Sequence, residues 1–274
     1  MGKHAAILRC LLPLIVAVAL GSCSSFDKLL KNPDFGLKYR EANRFYEAGR
    51  FDRAVALYEN ILPFFRNAPQ EDTINIRIAN GYFQMREFEM AQYYFNLFRR
   101  SFPRSALIGE VDYMVGLCSY SMSLRPSLDQ TETNNAIQAF NLYLFRHPHG
   151  EFAATCREKI VELEGRLAEK AFHGAKLYYT TEHYRAAVVA LKNCIKDFPD
   201  SKYREEMLFL VLRASFMHAK NSVRDRQRER FQLSIDEYFN LVSEFPQSRY
   251  KREAERIYRE LQERVKLPAQ SNQS

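Results

Sequence analysis

The chain has 274 residues and a net charge of +7 at neutral pH, and its length suits one large domain or an elongated array of repeats. Its 40 Lys and Arg side chains are interspersed with 33 Asp and Glu side chains, which is typical of solvated helix faces and not of the concentrated basic face that binds nucleic acid. We therefore expect no nucleic-acid partner.

The first predicted element is a secretory signal of the lipoprotein type. Lys3 and Arg9 precede an apolar run, Leu11–Leu20, which is too short to cross a bilayer because crossing takes about 20 apolar residues. The run ends in the sequence LGSC, whose cysteine is Cys23. This ending resembles the lipobox of bacterial lipoproteins, which implies removal of residues 1–22 and attachment of acyl chains to Cys23. The alternative is an ordinary cleaved signal with an incidental cysteine.

Both ends of the mature chain are predicted to lack fixed structure. We expect a flexible tether over residues 23–35 and a disordered tail over residues 267–274. Beyond the leader no apolar stretch approaches membrane-spanning length, so attachment to a membrane depends on Cys23. A single acyl chain anchors a protein only marginally, whereas two or more hold it firmly.

Prolines divide the rest of the chain into units of similar length. Pro103, Pro148, Pro199 and Pro246 are 45, 51 and 47 residues apart, and each stands between a Phe or His and, two residues later, a Ser or Gly. A degenerate earlier closure lies at Leu62–Phe65. Proline ends a helix because it lacks an N–H and clashes with the preceding turn. Each closure therefore predicts the end of a helical unit.

Within a unit, small and aromatic residues recur as in a tetratricopeptide repeat. Small residues let two helices approach closely, and aromatic residues fill the space beside them. We expect an all-α fold over residues 36–266, a tetratricopeptide-repeat solenoid of about five helical hairpins plus a C-terminal capping helix. The second unit has the clearest pattern, with Ala79, Tyr82, Phe88, Ala91, Phe95, Phe98 and Pro103.

Four stretches depart from the regular repeat. Residues 121–133 predict a loop, and residues 220–229 predict either a charged loop or a helix extension. Residues 152–179 contain no helix breaker beyond single glycines, which indicates one long helix. Apolar residues at helical spacing over Lys251–Lys266 predict the helix that caps the array, because a terminal repeat needs a cover.

We find no motif for catalysis, a metal or a cofactor, and expect the protein not to be an enzyme. The sequence has no phosphate-cradling glycine loop, no nucleophile elbow and no metal-ligand spacing. His147 and His149 flank a proline and indicate a turn. Cys118, Cys156 and Cys194 stand among apolar residues and predict buried thiols, with one disulfide among them as the open alternative.

The segment Ser127–Thr131, with the sequence SLDQT, leads into residues 135–137 (NAI) and then Phe140. Together with the lipobox, the hairpins and the cap, it resembles the BamD family of outer-membrane assembly lipoproteins. The resemblance implies a lipid-anchored platform on the periplasmic side of the outer membrane. It also implies two partners, the periplasmic domains of the β-barrel assembly core protein and unfolded outer-membrane protein substrates. The charged insertion at Lys220–Arg230 has no match in the family pattern.

A periplasmic lipoprotein scaffold for cell-wall or division enzymes is the competing functional interpretation. Such a scaffold would share the tetratricopeptide array, but we do not expect it to carry the SLDQT segment.

A helical solenoid binds partners through its concave face, which helix A of each hairpin lines. In the first two hairpins this face carries aromatic rings beside Asn and Arg side chains, a mixture that suits an extended peptide such as an aromatic-rich carboxyl end of a substrate. For Tyr46 and Phe83, packing against the neighbouring hairpin is the alternative. The candidate binding residues are Tyr39, Asn43, Tyr46, Arg77, Asn80 and Phe83.

The charged insertion also concentrates arginines, at Arg224, Arg226, Arg228 and Arg230, with Asp225 and Glu229 between them. This pattern predicts either a solvated helix face or a contact for an acidic partner surface, which salt would weaken.

Overall fold

A computed structural model describes residues 25–266, and every regular element within that range is helical. The signal, Cys23 and the tail over residues 267–274 lie outside the described residues. Between residues 25 and 266, no helix has the length and apolar character needed to span a membrane. Residues 25–30 are helical, a short 3₁₀ turn covers Leu62–Phe64, and the longer helices are α1 Phe35–Glu47, α2 Phe51–Ile61, α3 Glu71–Gln84, α4 Phe88–Ser101, α5 Ile108–Met122, α6 Thr131–Arg146, α7 Ala153–Thr180, α8 Tyr184–Asp197, α9 Arg204–Lys220, α10 Arg224–Glu244 and α11 Lys251–Lys266.

The same turn joins the two helices of three hairpins. Gly49 has a φ of +71°, and Arg86 and Glu182 take the same left-handed conformation at 64° and 62°. The next N–H in each turn donates to the carbonyl five residues back, as Arg50 does to Phe45 at 2.8 Å. A Schellman motif has two hydrogen bonds, and this one spans the larger number of residues. The motif ends a helix and reverses the chain. The repeat in the sequence is therefore present as repeated local geometry.

Small residues set the distance between neighbouring helices. A Cβ atom added at Gly81 would lie 2.4 Å from Cγ2 of Val55, and one added at Gly116 would lie 2.6 Å from the Phe140 ring. Ala79, at a small position of the repeat, is fully buried. Consecutive helices pack on one another from α1 to α5 and again from α8 to α11. The prediction of an all-α array of tetratricopeptide hairpins is confirmed.

The helices form two compact units, of which the first comprises described residues 25–123 and 132–157. The N-terminal segment belongs to it. Phe26 meets Phe45 edge to face with ring centroids 5.9 Å apart, and Leu29 and Leu30 pack against the same core. The sequence predicts a flexible tether over residues 23–35, and the structure differs from Phe26 onward. These half-buried apolar side chains pack against the core of the first hairpin, and their burial favours the docked segment.

The second unit comprises described residues 124–131 and 158–266. Its core extends into the last helix, α11, which packs against α9 and α10. Ala254, Ile257 and Leu261 form the buried stripe of that helix. The predicted capping helix is therefore confirmed.

The departures from the regular repeat also have clear structures. Because α5 ends at Met122 and α6 begins at Thr131, the predicted loop is confirmed. The single helix α7 confirms the predicted long helix. Since α10 begins at Arg224, the charged insertion forms a helix extension.

The loop before α6 is built around Gln130, which is buried although its neighbours are exposed. Its Nε2 donates to the carbonyl oxygens of Arg125 at 2.9 Å and Asp129 at 3.0 Å. Lys170 donates from Nζ to the carbonyl oxygen of Leu128 at 2.6 Å. The glutamine of the SLDQT segment thus satisfies carbonyl groups that a loop of this length would otherwise leave without partners.

Candidate functional site

All six candidate binding residues are half-buried on the first two A helices, α1 and α3. Residues three or four apart share one face of a helix, and the candidates follow that spacing. On α1 they are Tyr39, Asn43 and Tyr46, and on α3 they are Arg77, Asn80 and Phe83.

Arg77 is the centre of this face. Its Nη1 donates to Oδ1 of Asn43 at 2.5 Å and to the Tyr58 hydroxyl at 3.0 Å. The Tyr58 hydroxyl donates to the same Asn43 oxygen at 2.6 Å. The Arg77 guanidinium also lies over the Tyr46 ring, 5.1 Å from the centroid, at a distance typical of a cation–π contact. We call Asn43, Tyr46, Tyr58 and Arg77 the Arg77 cluster.

The ionisation of the cluster follows from burial and from the guanidinium. Burial raises the pKa of Tyr58 to about 12, although its hydrogen bond with Arg77 works in the opposite direction. Burial alone would lower the pKa of Arg77, but the hydrogen bond to Tyr58 and the nearby phenols outweigh it, and the net pKa is raised. At neutral pH the cluster therefore combines one cation with two neutral phenols.

Asn80 and a carboxylate on α5 extend this face. Burial raises the pKa of Tyr46, with the charge of Glu110 adding to the rise, while Arg77 and a hydrogen bond with Asn80 lower it. Asn80 therefore contacts the Tyr46 hydroxyl, and Glu110 brings negative charge close to the same group. The face presents amide, phenol, guanidinium and carboxylate groups within three successive A helices, and such groups bind the backbone and side chains of an extended peptide.

Tyr39 and Phe83 lie at the edges of this face. The Tyr39 ring packs on Phe65 with centroids 5.5 Å apart, and the Phe83 ring meets Phe88 at 5.3 Å. Phe83 also packs against a core cluster that includes Val111 and Val115 of α5, and Tyr46 contacts Arg77 of the next hairpin. Both residues therefore have contacts with the neighbouring hairpin.

Tyr58 and Glu110 are members of this face that the sequence does not predict. Tyr58 occupies a core aromatic position of helix B, and its ring is fully buried as that position predicts. Only its hydroxyl reaches the face, through a contact with a residue 19 positions away. Glu110 stands in the first turn of α5, where the repeat pattern specifies no residue type.

A second polar cluster holds α4, α5 and α6 together in the first unit. The carboxylate of Asp112 is only 2% exposed and lies 3.4 Å from Arg99, 3.1 Å from Arg146 and 3.2 Å from Nε2 of His147. His147 thus belongs to a turn, as predicted, and also contacts a buried carboxylate, which the sequence does not predict. The cluster compensates a buried charge with several donors.

The second unit carries an open cleft of about 710 Å³. Tyr178 and Val189 are the exposed apolar groups in its wall, and Arg185 and His218 are basic groups there. Burial lowers the pKa of His218, and the charges of Arg230 and Arg185 lower it further. The cleft therefore combines apolar surface with one basic group, Arg185, one acidic group, Glu182, and a histidine whose neutral form is favoured.

The described residues contain no cluster of metal-ligating side chains, and their three cysteines are buried. Among residues 25–266, no group of three or more His, Cys, Asp and Glu side chains could hold a metal ion. Cys118, Cys156 and Cys194 are buried and reduced, as the sequence predicts. Burial raises the pKa of Cys118 to about 12, so its thiol stays protonated and unreactive at neutral pH.

The family model YfiO, described as outer membrane lipoprotein, matches residues 36–216. The chain belongs to this family. The match begins one residue after the start of α1 and ends within α9, so it covers the Arg77 cluster, the SLDQT loop and most of the cleft.

Two relatives of this YfiO-family chain are named outer membrane protein assembly factor BamD. The one from Neisseria gonorrhoeae is 23% identical over 256 residues, covering 88% of this chain and 92% of the relative. The one from Vibrio cholerae is 20% identical over 231 residues, covering 81% and 96%. These relatives confirm the resemblance to the BamD family. A solved structure, the TPR2AB-domain:pHSP90-complex of yeast Sti1, aligns with a TM-score of 0.38 and 17% identity over 83% of this chain and 98% of that chain.

Proposed function

We propose that this YfiO-family chain is a noncatalytic adaptor of the β-barrel assembly machinery, held at the periplasmic face of the outer membrane by acyl chains on Cys23. It binds the periplasmic domains of the barrel-forming core subunit and receives unfolded outer-membrane protein substrates. Relatives that carry the name BamD, aligned over 92% and 96% of their lengths, support the assembly role. The Arg77 cluster is the observation that supports peptide binding.

The Arg77 cluster suits the carboxyl end of an unfolded barrel substrate. Arg77 is held in place by Asn43, Tyr58 and Tyr46, so the guanidinium loses little freedom when it binds a carboxylate. Tyr39 and Phe83 flank the cluster with half-buried rings against which aromatic side chains of a peptide can pack.

The cleft of the second unit offers a separate surface for the core subunit. Its exposed Val189 provides apolar contact area, and Arg185 provides a basic group that can pair with an acidic partner surface. A substrate and the core subunit can therefore occupy different units of the adaptor.

Affinity purification from detergent-solubilised envelopes tests the proposal. We expect the wild-type chain to recover a β-barrel core protein, and Val189→Asp to lose it because a buried unpaired charge opposes docking. Val161→Asp is the matched control, since Val161 is also an exposed valine, outside the cleft. Recovery of cell-wall or division enzymes without a barrel protein would overturn the assembly role. Equal recovery by both variants would overturn the assignment of the cleft.

A further inference from the structure

The docked N-terminal segment fixes where a lipid anchor must leave the folded unit. Phe26 is held against Phe45, and Cys23 stands three residues earlier. Three residues of chain span at most about 11 Å, whatever conformation they adopt. Acyl chains on Cys23 would therefore enter the bilayer close to the Phe45 ring.

Three arginines surround that ring. The guanidinium carbons of Arg44, Arg50 and Arg53 lie 5.5, 5.0 and 5.7 Å from the Phe45 centroid. Arg53 also lies 5.3 Å from the Phe26 centroid. Arg44 is in the last turn of α1, Arg50 precedes α2 and Arg53 is in its first turn, so all three lie at the turn end of the first hairpin.

The outer members of this group are open to solvent. The Arg44 side chain is 70% exposed and pairs with Glu41 at 2.5 Å, and Arg50 is exposed in the turn. Glu47 and Asp52 stand at the same end of the hairpin, so the net charge there is small. Binding at this end therefore depends on individual guanidinium groups, which form paired hydrogen bonds with phosphate.

We propose that Arg44, Arg50 and Arg53 form a docking surface for the phosphate groups of anionic phospholipids, and that the turn of the first hairpin lies against the bilayer. This inference rests on the proposed lipid anchor at Cys23. The anchor supplies membrane residence, and the arginines add a second contact that orients the first unit. One lipid chain anchors a protein only marginally, so a second contact with the lipid headgroups strengthens attachment.

Vesicle co-flotation of the mature chain, residues 23–274 without the apolar signal, carrying Cys23→Ser tests the docking surface without acyl chains. We expect this protein to bind vesicles containing phosphatidylglycerol and to leave neutral phosphatidylcholine vesicles unbound. Changing Arg44, Arg50 and Arg53 together to Gln should lower the affinity for the anionic vesicles about tenfold or more. Three exposed arginines of α11, Arg252, Arg256 and Arg259, changed to Gln in the same background, provide the matched control.

Circular dichroism melts check that both triple variants remain folded. Equal binding of the two triple variants to anionic vesicles would overturn the proposal, as would equal binding of the parent protein to neutral and anionic vesicles. The triple variant of Arg44, Arg50 and Arg53 can also keep vesicle binding but lose co-purification of the barrel core protein. In that case the surface binds an acidic protein instead, and the lipid assignment is wrong. Mass spectrometry of the wild-type N-terminus tests the anchor separately, so failure of the anchor and failure of the docking surface are distinguishable.

Discussion

Arg77 of the second hairpin lies over the Tyr46 ring of the first, with the guanidinium 5.1 Å from the ring centroid. The same guanidinium donates to Asn43 and to Tyr58. One side chain therefore joins two helical hairpins and presents a fixed positive group on the face where we propose that substrate peptides bind.

The Tyr58 hydroxyl couples stability of the first unit to alkaline pH. Its pKa is about 12 in the folded protein, against about 10 in an unfolded chain. The folded state holds this proton more tightly, so the stabilisation is complete below about pH 10 and is lost as the pH rises toward about 12.

We expect Tyr58→Phe to lower the free energy of unfolding by about 1–2 kcal/mol at neutral pH, because Asn43 and Arg77 lose a partner. The fall in unfolding free energy between about pH 9.5 and 12 should be about 2 kcal/mol smaller in this variant than in the wild type. Urea titrations at each pH provide the measurement, with the exposed Tyr178→Phe as control. If the free energy of unfolding depends on pH in the same way in Tyr58→Phe and the wild type, the raised pKa does not belong to Tyr58.

Asp112 should be the most sensitive carboxylate of the first unit. Asp112→Asn keeps the volume but removes the buried charge that contacts Arg99, Arg146 and His147. Since three cationic or protonatable groups lose their partner, we expect the free energy of unfolding to fall by about 3 kcal/mol. Glu47→Gln, at an exposed position of α1, is the control and should change it by less than about 0.5 kcal/mol. An equal loss of unfolding free energy in both variants would show that the contacts of the Asp112 carboxylate do not stabilise the first unit.

Two glycines within helices should respond oppositely to alanine. At Gly116 a Cβ would lie 2.6 Å from the Phe140 ring, so Gly116→Ala should destabilise the protein by about 1–3 kcal/mol. At Gly165 the added Cβ would meet nothing within 4 Å beyond the adjoining backbone of its own helix, so Gly165→Ala should stabilise by about 0.5–1 kcal/mol through its helix propensity. Thermal unfolding of the two variants tests this difference, and a loss of stability in both would contradict it.

The turn after α7 carries a strained residue that glycine should relieve. Glu182 has a φ of 62°, which is costly for a residue with a Cβ. We expect Glu182→Gly to raise the free energy of unfolding by about 0.5 kcal/mol, because the αL strain outweighs the entropy lost by glycine. Gly49→Ala, at the equivalent turn of the first hairpin, should lower it by about 1 kcal/mol. Denaturant titration measures the free energy of unfolding of both variants. A lower value for Glu182→Gly than for the wild type would show that the left-handed conformation of Glu182 is not a source of strain.

The spacing of small and aromatic residues is sufficient to predict the hairpins, because the small residues Ala79 and Ala91 and the aromatic residues Phe95 and Phe98 are fully buried, as the pattern requires. The capping helix follows from helical periodicity in the same way. The docking of Phe26 could not be predicted, since its apolar segment is short and belongs to no repeat. The hydroxyl of Tyr58 was also missed, because a core aromatic position does not indicate where the polar end of the side chain lies.

The most direct test of the peptide-binding claim is a fluorescence anisotropy titration with a labelled peptide that ends in the aromatic-rich carboxyl terminus of a β-barrel substrate. Arg77→Glu should weaken binding roughly 10–100-fold, because it removes a charged hydrogen bond to the peptide carboxylate. Arg77→Lys should weaken it less, because it keeps the charge and loses the planar geometry. Arg40→Glu, an equal charge reversal at an exposed position of α1, is the control and should bind like the wild type. Unchanged affinity in a folded Arg77→Glu variant would contradict the account.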